Sequence, residues 1–257
     1  MADVRTAAER GSVSFDPIAD RYDETRGGEA RGEGVADDLV PWLPEGRVLE
    51  VGVGTGVVAK ALRARGLNVV GVDLSPQMAR RAVGRLGPRV TLGDAHALPV
   101  ADASVDAVVM VWVLHLVGGI EGALAEAARV LRPGGRVVAV HDAPTATATD
   151  IDGAFTKLFG PLRDSRPDSK ETVAAAAYAA GLTTLHQGDT TRYTLGRAPE
   201  AIATEIETRT WSYLWNFDNE RWQAYVVPVL TELRALPEPD RVREFEQWHG
   251  LSVFARP

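Results

Sequence analysis

The stretch VLEVGVGTGVVAKALRARGLNVVGVDLS, Val48 to Ser75, governs how the rest of this chain is read. It sets Gly52, Gly54 and Gly56 between an apolar run and a run with helical spacing. A carboxylate stands on each side: Glu50 two positions before the first glycine, and Asp73 at the end of the next apolar run. Glycines so placed permit a tight turn and let a ligand approach the backbone where the following helix begins. A dinucleotide fingerprint has the spacing G-x-G-x-x-G. Here Val57 occupies its third glycine position, which disfavours a nicotinamide oxidoreductase. A carboxylate that closes the second strand can accept both hydroxyls of a ribose and so fix an adenosine without any phosphate. The plainer alternatives are a helix N-cap or loop aspartate for Asp73 and a solvated strand end for Glu50.

Outward from this stretch the chain alternates. Valine-rich runs at 47–51, 68–72, 89–93, 105–112 and 135–141 are separated by helix-like segments at 57–65, 77–86 and 120–131. Strands apolar on both faces, joined by helices, predict a doubly wound α/β fold with a mostly parallel sheet. Ser75-Pro76 reads as an N-cap followed by proline at the first helical position. Beyond Asp142 the pattern changes. DSKETVAAAAYAAG reads as a helix with Asp168 and Glu171 spaced as a capping box, and LTTLHQGDTTRYTL has strand character. Two helical stretches at about 199–215 and 219–236 follow, and WHGLSVFARP reads as a final strand.

The segments VLEVGVGTG, VVGVDLSPQM, GDAHALPVADASVDAVV and RVLRPGGRVV, in this order and spacing, resemble the successive motifs of class I S-adenosylmethionine-dependent methyltransferases. The resemblance is to the small-molecule branch, which includes menaquinone-type and natural-product enzymes, and it covers roughly residues 14–142. It implies a single Rossmann-like domain over 1–257 with a seven-stranded sheet whose last strand is antiparallel. Residues 1–40 form an N-terminal helical cap, 45–142 the cofactor-binding core, and 196–240 a helical insertion that acts as a substrate lid. It also implies roles. Gly52, Gly54, Thr55 and Gly56 hold the methionine end of S-adenosylmethionine, and Glu50 stays near its ammonium group. Asp73 takes the ribose hydroxyls, Leu74 and Met78 lie against the adenine, and Asp94 and Ala95 sit at its edge. Val111 and His115 line the sulfonium side, Trp112 belongs to the acceptor wall, and Tyr22 and Arg26 close over the cofactor. S-adenosylhomocysteine is the product.

Methyl transfer is an in-line displacement that sometimes needs a base. His141 is the first candidate because it ends the fifth strand, with Asp142 beside it as a tuning group; His115 is the second. The bland readings are a loop histidine and a packing residue. His96, His186 and His249 read as structural or solvated, and no metal-site spacing occurs among the histidines. Trp211 and Trp215, with Tyr213, Phe217 and Tyr225 nearby, form either a small core fastening the insertion or an aromatic wall for the acceptor. Arg209 and Ser212 lie in the same segment and suit a polar group on it.

The net charge of -7 over 257 residues, with scattered arginines, argues against a nucleic-acid partner. The basic stretch MARRAVGR reads as a solvated helix face. No cysteine is present, which excludes thiolate sites. Neither a signal-peptide core nor a membrane-length apolar run occurs in the sequence, so a cytoplasmic protein, monomer or homodimer, is expected. The reading is methyl transfer to a small, largely apolar acceptor on oxygen, nitrogen or carbon, in specialised metabolism. A same-fold cyclase that keeps the cofactor unconsumed and a non-catalytic cofactor-binding protein are the rivals.

Overall fold

The computed structural model describes residues 11–141, 145–146, 149–159, 168–215 and 217–257. Residues 1–10 of the expected cap, and Asp142, lie outside the described residues. The chain divides into two compact units: 1–142 with 167–191 and 249–257, and 143–166 with 192–248.

The first unit carries a seven-stranded sheet in the order β3-β2-β1-β4-β5-β10-β7. Its strands are β1 (Arg47–Val51), β2 (Asn68–Asp73), β3 (Val90–Leu92), β4 (Val105–Val111), β5 (Leu131–His141), β7 (Thr183–Asp189) and β10 (Gly250–Ala255). β1 pairs in parallel with both β2 and β4, and β10 runs antiparallel between β5 and β7. The strand order reverses between β1 and β4, and in open α/β sheets ligands bind in the crevice beyond the carboxyl ends at such a point. Helices cover both faces. On one, α3 (Val57–Ala64) and α4 (Pro76–Leu86) bury Val58, Leu62, Ala82 and Leu86 against Val48, Val69 and Val109. On the other, α5 (Ile120–Val130) and α7 (Lys170–Ala179) bury Leu124, Ala127, Val173 and Ala177 against Leu49, Val108 and Val137. Apolar residues on both faces of each central strand are what make this two-sided covering stable.

Ser75 caps α4 by accepting from the Met78 amide, as the Ser-Pro pair predicts. The cap of α7 differs from expectation. Ser169, not Asp168, takes the Thr172 amide, so the serine one residue later supplies the acceptor and Asp168 is released for other contacts.

The N-terminal cap is a 3-10 turn (Asp16–Arg21), α1 (Tyr22–Arg26), α2 (Gly28–Leu39) and a short 3-10 turn at Val40–Trp42. It is fastened to α3 and α4 by pairs of one polarity. Asp16 accepts from Ser75 Oγ and the Gln77 amide, Asp20 pairs with Arg81, and Asp23 pairs with Arg85 at 2.6 Å. Glu29 meets Lys60 at 2.6 Å, and Glu33 and Asp37 hold Arg65 at 2.6 and 2.7 Å.

The second unit corrects the expected helical insertion over 196–240. It begins near Ala143 and contains its own antiparallel sheet, β6-β9-β8, made of β6 (Thr145–Ala146), β8 (Tyr193–Arg197) and β9 (Arg243–Gln247). LTTLHQGDTTRYTL is thus two strands, β7 and β8, in different sheets. β9, REFEQ, is charged enough to escape notice, yet it alternates and pairs with β8 along its whole length. α6 (Asp152–Phe159), α8 (Pro199–Glu207) and α10 (Val227–Ala235), with Ile151 just before α6, pack Leu158, Ile202, Ile206, Val229 and Leu233 into a separate core. Between α9 (Asn219–Arg221) and α10 the helix widens to a π turn at Trp222–Val226. Pro228 has no amide to close a regular turn there, and a π turn absorbs the gap.

Candidate active site

The crevice above β1 and β4 holds two adjoining compartments that share Tyr22, Gly52, Gly54, Val111 and Trp112 on their walls. The first is lined further by Asp73, Leu74, Met78, Asp94 and Ala95, and by Ser12, Val13, Phe15, Val113, Leu116 and Val117. The second is lined by Asp23, Arg26, Arg31, Glu50 and Thr55.

The glycine turn shapes the floor. A Cβ on Gly54 would meet nothing within 4 Å, so this glycine opens onto the crevice. A Cβ on Gly52 would lie 2.4 Å from Val113 Cγ2, so this one admits the neighbouring strand end. Gly56 is not on either wall. It precedes α3 with φ +84°, and its Cβ would press on Ala82 of α4. The expectation that Gly56 holds cofactor is therefore corrected to a packing role.

Asp73 ties the turn to its own strand. One carboxylate oxygen accepts the Gly54 amide at 2.7 Å and the other the Ser75 amide at 2.8 Å. Burial pushes its carboxyl up, against the pull of the Ser75 and Gly54 amides. Asp94 accepts the His96 amide at 2.9 Å, and His96 reaches the Gly119 carbonyl at 2.8 Å, which fixes the loop after β3.

Glu50 is 2% exposed, and its Oε2 is buried without a hydrogen-bond partner. Burial pushes its carboxyl well above the usual carboxylate range. The Asp73 charge adds to that, and the Ala59 amide works against it. Trp112 follows β4 directly with φ +52°, a conformation unusual for a large side chain. Its Nε1 is likewise buried without a partner, the Arg31 guanidinium lies 3.4 Å above its ring, and the His249 ring meets its edge. Arg31 carries no motif. Its contact joins segments eighty-one residues apart by number (112 − 31), which spacing along the sequence does not reveal.

The histidines fall differently from expectation. His141 has no solvent exposure. Its Nδ1 lies 2.9 Å from the Asp168 carbonyl and its Nε2 2.8 Å from Ser252 Oγ, so it ties β5 to β10 and does not face the crevice. His115 follows β4, is 41% exposed along its side chain, and sets Nδ1 3.5 Å from the buried Asp168 carboxylate; neither compartment is lined by it.

In the second unit the expected acceptor-binding side chains are engaged internally. The Arg209 guanidinium donates to the Leu214 and Phe217 carbonyls and lies over the Trp222 ring. Trp211 is buried in the unit's core and donates to Glu205, and Trp215 donates to the Arg209 carbonyl. These residues fasten the unit, because a bulky indole gains most where its ring is buried and its N–H is paired.

The fit to an amino-acid nucleoside is apparent from the walls. One compartment offers a buried acid to a ribose and apolar faces to a base. The other is lined by a buried carboxyl with one oxygen unserved and by two arginines, the complement of a zwitterionic amino-acid end. Among the described residues no helix is long and apolar enough to cross a membrane.

Comparison with known proteins points the same way. A methyltransferase-domain family model matches residues 49–139. An uncharacterized methyltransferase of Mycobacterium tuberculosis is 40% identical over 206 residues, covering 78% of this chain and 78% of that protein. A demethylmenaquinone methyltransferase of Tropheryma whipplei is 44% identical over 97 residues, covering 35% of this chain and only 39% of its own length. The crystal structure of a methyltransferase from Thermotoga maritima, described as a possible histamine N-methyltransferase, superimposes with a TM-score of 0.55 at 22% identity. That match covers 95% of this chain and 96% of the other.

Proposed function

We propose that this chain, which belongs to the class I S-adenosylmethionine-dependent methyltransferases, transfers a methyl group from S-adenosylmethionine to a small, largely apolar acceptor. The observation that carries the reading is the paired crevice, with Asp73 and an open Gly54 in one part and Glu50, Arg26 and Arg31 lining the other. Asp73 would hold the ribose, Leu74, Met78 and Ala95 the adenine, Glu50 the ammonium, and the two arginines the carboxylate. When bound, the cofactor supplies an electrophilic methyl on a sulfonium. The protein's part is to orient it and keep water away, which the cap residues Phe15 and Tyr22 and the apolar strand ends Val111 and Trp112 do.

The demethylmenaquinone relatives support an apolar, ring-bearing acceptor, and an acidic chain gives no electrostatic help to a polyanion. For an acceptor that must lose a proton, His115 is the group we assign, because it is accessible and Asp168 stands beside its Nδ1. Incubation with methyl-labelled S-adenosylmethionine and a panel of hydroquinones, phenols and amines tests the reading. Label in an organic-extractable product supports it. Turnover with the cofactor intact would indicate a cyclase, and binding without turnover a non-catalytic protein.

A further inference from the structure

The buried carboxyl of Glu50 stands out from the other acids of the crevice because, among the described residues, none serves one of its oxygens. In the sheet its register neighbours are Gly71 on β2 and Val109 on β4, neither of which is ionisable. From α3 only the Ala59 backbone amide steadies an anion there. The charged groups that face its compartment from other elements are two acids and two arginines. Asp73 on β2 repels a second negative charge, and Asp23 on α1 is taken up by Thr55 Oγ1 and Arg85. Arg31 on α2 rests on Trp112, and Arg26 on α1 lines the same compartment. A carboxylate withdrawn from water, beside a like charge and with one oxygen unserved, is strongly disfavoured, and such a group keeps its proton instead.

We propose that cofactor binding in this chain is coupled to the release of one proton, from Glu50. The inference rests on the methyltransferase reading above. In the empty crevice the carboxyl is neutral. On binding, the Glu50 O–H bond breaks, the proton leaves to solvent, and the carboxylate accepts an N–H of the cofactor's α-ammonium in its place. Affinity then rises with pH, by up to about tenfold per unit, over the range in which the free carboxyl holds its proton and the bound one does not. Above that range affinity levels off, until the cofactor's own α-ammonium begins to lose its proton.

The test is calorimetric titration of the protein with S-adenosylhomocysteine at mildly acidic pH, in two buffers of widely different ionisation enthalpy. The expected result is a binding heat that differs between buffers by the equivalent of nearly one proton released, fading as the pH is raised. Infrared difference spectra identify the source. Binding should abolish a protonated-carboxyl C=O band, and that band should shift when glutamate alone is labelled with ¹³C. Identical heats in both buffers, or a band that glutamate labelling leaves in place, overturns the proposal while leaving the cofactor reading intact. Failure of S-adenosylhomocysteine to bind at all sinks the cofactor reading itself. Glu50→Gln, which keeps shape and removes the ionisation, should bind more weakly and without buffer-dependent heat; a variant that still releases the proton also overturns the assignment.

Discussion

Three glycines stand in the turn after β1, and each answers a different demand. Gly54 faces open space, so Gly54→Ala should cost the folded protein only the strain of its φ of +55°, about 1–2 kcal/mol. The added methyl intrudes where the ligand goes, and S-adenosylhomocysteine affinity should fall roughly tenfold to a hundredfold. Gly52→Ala drives its methyl into Val113 and should show the larger loss of melting temperature. Thermal melts and calorimetry on both variants separate the two, and equal effects on stability would mean that the turn is uniformly structural. The sequence alone marks all three as one motif, because spacing says where glycines are and not what faces them. Glu50 and Asp73 were legible for the same reason, since each sits at a strand end that the apolar runs define. His141 was misplaced by the same logic. The strand it ends is covered on both sides, so its ring is a tie and not a reagent. His141→Ala should therefore lower stability by about 1–3 kcal/mol, leaving Ser252 and the Asp168 carbonyl unserved. S-adenosylhomocysteine affinity should not change. A variant of unaltered melting temperature and reduced turnover would restore the catalytic reading.

At the scale of elements, the apolar runs and helical spacing of the first 141 residues led to β1–β5 and α3–α5 within a residue or two, except that β5 begins four residues earlier. Periodicity is strong where both faces of a strand or one face of a helix is buried. It failed at β9, whose burial alternates beneath mostly charged side chains, and at β7 and β8, which are continuous in character but belong to different sheets. The cap was visible as a polar segment, but its fastening was not, because ion pairs between distant segments leave no local pattern. Exposed pairs contribute little singly. Asp23–Arg85 is better shielded, with both side chains under one-third exposed, and Arg85 also donates to the Thr55 carbonyl at 2.8 Å in the glycine turn. Arg85→Ala should thus free the cap and the turn together. Stopped-flow release of S-adenosylhomocysteine should quicken by roughly two- to tenfold, and amide exchange across residues 16–39 should rise with it. High salt should reproduce part of this in the parent protein and little of it in the variant.

At the scale of the whole molecule, the seven-stranded sheet and its antiparallel final strand agree with what the family resemblance implies, whereas the second unit was not foreseen. Its core draws on 151–158 and 202–233, and no single stretch of sequence announces that these belong together. The position of β10 has a consequence for synthesis. Emerging from the ribosome after every other described strand, it must enter the interior of the sheet and pair with β5 on one side and β7 on the other. Until then two strand edges stand open, the condition under which chains pair with the wrong neighbour. A ribosome-stalled chain ending just before Gly250 should accordingly keep the glycine turn protected from protease while β5 and β7 are cut. A released chain that includes residues 250–255 should close both edges at once, so the sheet stays exposed to wrong pairing until β10 is free to enter it.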